Sequence, residues 1–322
     1  MATAGVLAAC HPPTPPTAPL PTHGALAQRD RSCQRYSVQV SGPYHQELAE
    51  PVDDPLLDVM PPEARRSARA AGLEPLILAL FQARSAPAPD LTRILTLQQR
   101  LFTQLVSFDS QLQSLLTEVD CTDDVVEDLS AQLSQRQDNR ELRLTLASIV
   151  VAAAAGIAAG AWEIASERST GSSLVAVLGG AGSAGFGVAA LVPKQHTVPY
   201  LHPHNLLAPI ASGHDDDRIY PTFVRRLLST PPGPNQPSPR EDLLHSFDEK
   251  IAKTYPSSEH ERVRQLLYGT GAVYDQTLID LRESMYDALE AKLSAFAREF
   301  ELLNRYLVNV TGADVASDAG VP

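Results

Sequence analysis

No charged residue falls between Arg143 and Glu163, and none between Arg168 and Lys194. These two stretches constrain the fold more than any other feature. A segment with few polar side chains must satisfy its backbone internally, and a helix does that. As a helix, Leu144–Trp162 rises roughly 28 Å, close to the thickness of a bilayer's hydrocarbon core. Ser148, Ala152, Gly156 and Gly160 recur at every fourth position and make one smooth face, the small-residue device for close helix contact. Trp162 ends the run, where an interfacial aromatic belongs. In the second stretch Gly179, Ser183 and Gly187 repeat at the same interval, as do Ala176, Gly180 and Ala184. The pair predicts an antiparallel hairpin over 144–192 with glycine-zipper faces, joined by the polar loop 163–171. Insertion in a membrane and burial inside a helical bundle both satisfy this pattern. Ala and Gly are weakly hydrophobic, and the glycines of the second arm cost helix stability.

A competing reading comes from Gly180-Ala-Gly182-Ser-Ala-Gly185, a GxGxxG string after an apolar run. The string cradles a dinucleotide only inside a βαβ unit, with an acidic residue about 20 positions on. Here Gln195–His204 follows, with Pro199 and Pro203 where a buried strand should run. The first acidic residues are Asp215, Asp216 and Asp217, in a polar loop. The helical reading therefore comes first, and a dinucleotide-binding enzyme stands as a minor alternative.

Before the hairpin, Leu101, Leu105, Phe108, Leu112, Leu115, Val119, Val126, Leu129 and Leu133 mark a heptad seam. They predict one long helix over 90–140, with Asp90 as N-cap. After the hairpin, Leu278, Leu281, Met285, Leu289, Leu293, Phe296, Phe300, Leu303 and Leu307 form a matching stripe. They predict a final helix over about 272–310, ended by Gly312. Buried against each other, the two stripes would contribute about 2 kcal/mol per large side chain. Shorter helices are expected at 61–71, 75–85 and 221–228. Ser238-Pro-Arg-Glu241 and Ser258-Glu-His-Glu261 both resemble capping boxes. The fold class is all-α: an elongated bundle of two long helices carrying an apolar, glycine-rich hairpin. Residues 61–143 form a helical region, 193–239 an irregular loop region with a proline-rich insertion at 231–239, and 240–312 the C-terminal helices.

The N-terminal residues point to an anchor. Leu7-Ala8-Ala9-Cys10 matches the motif at which bacterial lipoproteins are cut and lipidated, so Cys10 is the candidate lipidation site and residues 1–9 a signal remnant. That stretch lacks the basic n-region and full apolar h-region of a complete signal. The segment 10–60, rich in proline, reads as a disordered, polyproline-type tether. With Cys10 lipidated, Cys33 and Cys121 remain as an even pair in an oxidising compartment, where they are free to form a disulfide.

Composition narrows the function. The formal net charge of −12 argues against nucleic acid as a partner, because phosphate contacts need basic patches. No HExxH, P-loop or GxSxG string occurs. His196, His202, His204, His214 and Asp215–Asp217 are the only candidate metal ligands, and their spacing matches no known site; no metal and no cofactor is expected. Asp120, Asp123, Asp124, Glu127 and Asp128 cluster near Cys121 but lack a convergent catalytic set, so no catalytic residue is assigned.

The lipidation motif, the hairpin and the segment His202-Pro-His-Asn205 together resemble a group of bacterial envelope lipoproteins. That resemblance implies a non-enzymatic protein of the bacterial cell envelope, lipid-anchored or integral, with a structural or assembly role. Its partners would be membrane lipid, and either a second copy or another envelope protein through the hairpin. The layout of long helices flanking an insertable hairpin is also similar to α-helical pore-forming proteins, which implies membrane permeabilisation as the alternative.

Overall fold

The structure, a computed structural model, describes residues 32–33, 47–165 and 196–318; side chains at 140, 143, 144, 147, 148, 150–165 and 311–318 are outside the description. The described residues are mostly helical, as expected of an all-α chain. Helices α1 (Pro62–Ala70) and α2 (Glu74–Arg84) precede α3 (Leu91–Ala165). Strand β1 (Thr197–Leu201), α4 (Ala208–Ser212), α5 (Thr222–Ser229), α6 (Pro239–Thr254) and α7 (His260–Tyr268) follow. Strand β2 (Gly271–Asp275) then leads into α8 (Gln276–Asp318). The chain divides into two units, His23–Leu133 with Thr197–Pro322, and Met1–Thr22 with Ser134–His196.

In the first unit every residue of the α3 heptad seam is buried, from Leu101 to Leu133, as is every residue of the α8 stripe from Leu278 to Leu307. Asp90 caps α3, its Oδ1 accepting from Thr92 N at 3.0 Å. Two contacts fix the relative direction of α3 and α8. Ser130 Oγ donates to Asp280 Oδ1 at 2.8 Å. Phe108 meets Phe300 edge-on at 6.2 Å, with Phe223 of α5 completing the aromatic group. The helices therefore run antiparallel. Helix α8 also packs on the short α1, where the small residues Ala64 and Ala68 are fully buried. Arg66 pairs with Glu299 across that contact.

Several expectations are corrected. Helix α3 does not stop near 140 but runs unbroken to Ala165 over 75 residues. Arg136, Arg140 and Arg143 are good helix formers, and no proline or capping glycine interrupts them. Two strands appear where helix or loop was expected. Thr197 pairs antiparallel with Asp275, and Pro199 with Val273. Pro199 is tolerated because both strands of a two-stranded sheet are edges. Gly271 starts β2 with φ 117°, and a Cβ there would lie 2.4 Å from Tyr200 O. Only glycine fits this close approach. The irregular region 193–239 thus holds β1, α4 and α5. Its proline-rich loop is mostly exposed from Pro231 to Pro237 and buried only at Ser238 and Pro239; Pro232, Pro237 and Pro239 line a cavity of about 360 Å³ with Arg66, Lys292 and Phe296.

The capping box at Ser238 forms in full. The one at Ser258 does not: a 3-10 turn, Ser257–Glu259, takes those residues and α7 begins at His260 without a side-chain cap. Gly312 does not end α8, which continues to Asp318. A lone glycine costs a helix only about 1 kcal/mol and stops it only by turning left-handed.

In the second unit the described part is the stretch of α3 from Ser134 to Ala165, with His196. Among residues whose side chains are described, no helix is long and apolar enough to cross a membrane. Most of the uncharged stretch 144–162 lies outside that set.

Candidate functional site

The His202-Pro-His-Asn205 segment is where sequence and structure meet most closely. It leaves β1 and crosses the junction between α7, β2 and α8. Asn205 is nearly fully buried, and its Nδ2 donates to Leu267 O and Gly269 O, both at 2.8 Å. Its Oδ1 accepts from Leu207 N at 3.1 Å and from Arg282 Nη2 at 3.1 Å. One amide side chain thus fixes the turn that ends α7 and the turn that starts α4.

Arg282, on α8, is completely buried. Its Nη1 donates to Leu267 O at 2.7 Å and its Nη2 to Tyr286 Oη at 2.9 Å. The guanidinium lies 5.2 Å from the Tyr286 ring centre and 5.8 Å from that of Tyr200. Among the described residues no carboxylate pairs with it. Burial opposes its charge, and the phenols of Tyr286, Tyr274 and Tyr200 hold it in the cationic form.

His202 is also fully buried, with Nε2 2.5 Å from Tyr274 Oη. Tyr274 Oη donates to Leu266 O at 2.7 Å, so the network assigns the ring proton to Nε2. Burial, reinforced by the Arg282 charge, lowers the His202 pKa to about 2, and the ring is neutral at all working pH values. Its neighbour His204 reaches the other way, Nε2 lying 2.8 Å from Oε1 of the buried Glu118 on α3.

The candidate metal ligands are therefore dispersed. His202 serves Tyr274, His204 serves Glu118, and His214 Nδ1 sits 3.0 Å from Ser212 O. Asp215 is buried, not solvated, and accepts from Ile219 N at 2.6 Å and Tyr220 N at 2.9 Å. Among the described residues no group of three His, Cys, Asp or Glu side chains is placed to hold a metal.

The acidic residues near Cys121 do converge on something. Asp123 faces Glu283, Asp287 and Glu290 of α8 and lies beside Glu127. Burial first, then the charge of Asp287 and the other carboxylates, raises its pKa to about 7. Cys121 itself is joined to Cys33 by a disulfide, with Cα atoms 5.6 Å apart. The bond fastens a segment from before the helices to the middle of α3.

Cys10, Gly179, Gly180, Gly182, Ser183, Gly185 and Gly187 lie outside the described residues. Ser148, Ala152, Gly156 and Gly160 lie on the backbone of α3, with their side chains outside the description. Sequence reasoning missed Arg282. The signal was present: Arg282 stands four residues after Leu278 and three before Met285, in the middle of an apolar stripe. A charge there is either a defect or the centre of a network. No protein-family model, curated protein or solved structure matches the chain.

Proposed function

We propose that this chain is a non-enzymatic, membrane-associated lipoprotein of the bacterial cell envelope. Its body is an elongated bundle built on two long helices, and its working element is the glycine-zipper hairpin 144–192. Cys10 supplies the lipid anchor and the segment before Cys33 the tether. The expected tether does not extend to 60, because Cys33 is bonded to Cys121 and Leu48, Leu57 and Met60 are buried.

One observation carries the reading: the body grips the chain firmly on either side of the uncharged stretch. On the entry side the α3 seam is buried through Leu133. On the exit side, β1 pairs with β2, His204 meets Glu118, and Asn205 ties down two carbonyls within a few residues. Such anchoring suits a segment that must act as a unit, by insertion or by packing on a partner. The Cys33–Cys121 bond adds support, because disulfides persist in oxidising compartments such as the periplasm and cell surface.

Fractionation of the Cys10→Ser form tests the reading. Resistance to alkaline carbonate extraction without the lipid supports hairpin insertion, and full release argues against it. Palmitate-analogue labelling that persists in Cys10→Ser removes the anchor from the account.

A second reading, a pore-forming protein, draws on the exposed row Leu142 (52%), Leu146 (44%) and Ile149 (58%) on α3. Dye release from liposomes separates the two: leakage favours the pore, and binding without leakage favours the structural role.

A further inference from the structure

A cleft of about 470 Å³ opens between α4, α5 and the first turn of α6. Arg225 and Arg226 of α5 and Arg240 of α6 line it, against two carboxylates, Asp215 and Asp216. The chain carries a formal net charge of −12, so this excess of cations is local and not part of a general basic surface. We propose that the cleft binds a small organic anion. Arg225 and Arg240 hold its phosphate or carboxylate group, and Pro209, Ile210 and Leu228 receive its apolar body.

The partners of each charge carry the argument. Arg226 is committed to the fold: its Nη1 donates to Ala49 O at 2.9 Å and its Nη2 to Leu48 O at 3.2 Å. Asp215 is committed as well. Its side chain is buried, with Oδ1 accepting from Ile219 N and Oδ2 from Tyr220 N. Arg225 Nε stands 3.9 Å from that Oδ2, beyond hydrogen-bond reach, and the Arg225 guanidinium makes no hydrogen bond among the described residues. Arg240 makes one, from Nη2 to Ala211 O at 3.1 Å, and among the described residues no carboxylate lies within ion-pair distance of it. Its Nε is buried without an acceptor.

A guanidinium presents five N–H donors in a flat fork that matches two oxygens of a carboxylate or phosphate at once. Arg225 and Arg240 bring two such forks, largely unengaged, to one cleft. Arg240 is also held in place. Gly213 has φ 75°, and a Cβ there would lie 2.9 Å from Arg240 Nη2, so the guanidinium packs directly on the backbone at the end of α4. A donor ordered in advance loses less entropy when a ligand arrives. The volume and the mixed lining, apolar side chains with a few placed charges, suit a small molecule.

This site lies in the unit that holds the α3 seam and α8, and it depends on neither the anchor nor the hairpin proposed above. The test is calorimetric titration of full-length Cys10→Ser with phenyl phosphate, benzoate and the neutral benzyl alcohol. The expected result is saturable binding of at least one of the two anions and none of the alcohol. Arg225→Gln and Arg240→Gln should each weaken that binding about tenfold, the change expected for a lost charge-assisted bond. The Arg225 side chain is 43% exposed, so Arg225→Gln should keep the parent melting temperature and separate loss of the site from loss of the fold. Arg225→Lys keeps the charge without the fork and should recover only part of the affinity. Phosphatidylglycerol vesicles that displace the bound probe would identify a lipid head as the source of the anion; vesicles that leave it in place would identify a soluble one. No saturable binding of either anion, equal binding of benzyl alcohol, or unchanged affinity in Arg225→Gln would overturn the proposal.

Discussion

Asn205 Oδ1 accepts a hydrogen bond from Arg282 Nη2 at 3.1 Å inside a junction that no water-facing surface reaches. The two residues are 77 positions apart, and between them they satisfy Leu267 O, Gly269 O and Leu207 N. The pair is asymmetric. Asn205→Ala strands a buried cation and removes the donor to two carbonyls. Arg282→Met removes the charge itself along with its desolvation cost. Thermal denaturation should place Asn205→Ala about 3 kcal/mol below the parent and Arg282→Met nearer about 1 kcal/mol below. The reverse order would mean the cation contributes more than its geometry implies.

The Cys33–Cys121 bond closes a loop of 88 residues. Chain-entropy reasoning assigns a loop of that size about 4.6 kcal/mol of stabilisation. Urea titrations of Cys33→Ser, Cys121→Ser and the reduced parent should all show a loss of that order. Equal midpoints with and without reductant would remove the bond from the account of stability.

Asp123 gives a pH dependence of definite sign. Its folded pKa of about 7 lies above the ordinary carboxyl value, with burial the main cause and the facing carboxylates the next. A raised carboxyl pKa favours the protonated folded state. The stabilisation is complete below the unfolded pKa near 4 and is lost as pH rises through about 7. Because Asp123 is only half buried, solvent screening limits the change to about 1–2 kcal/mol. Melting temperature should therefore fall between pH 5 and pH 8, and Asp123→Asn should flatten that slope and raise stability at pH 8.

Gly271→Ala should be the most damaging small substitution. The residue sits at φ 117°, and the new Cβ would press against Tyr200 O and Leu201 Cα. Pairing of β1 with β2 would have to give way, at a cost of about 3 kcal/mol. Gly269→Ala tests the neighbour, where φ is negative but Gln265 O lies 2.6 Å from the added carbon.

The long helices were legible because their apolar residues repeat at helical steps, broken in α3 only where the buried Thr122 takes a seam position, and a buried seam demands that pattern. Asp90 and the Ser238 box were legible because capping is local chemistry. The strands were not. β1 contains Pro199, and β2 starts at a glycine whose role depends on Tyr200, a residue 71 positions away that no local pattern reveals. The Ser258 box failed because Pro256 sets up a tight turn first, Glu259 N bonding Pro256 O at 2.9 Å. His202 and His204 carried the right signal with the wrong chemistry. Side chains weighed as metal ligands are instead internal fasteners, and only the fold brings Tyr274 and Glu118 to them.

The central claim is that the uncharged hairpin, and not the lipid alone, brings this chain to a membrane. The direct measurement is flotation of purified full-length Cys10→Ser with liposomes on a density gradient, beside the same chain lacking residues 144–192. The account predicts that the first rises with the vesicles and the second stays at the bottom. Both remaining at the bottom, with Cys33–Cys121 oxidised in each, would contradict it.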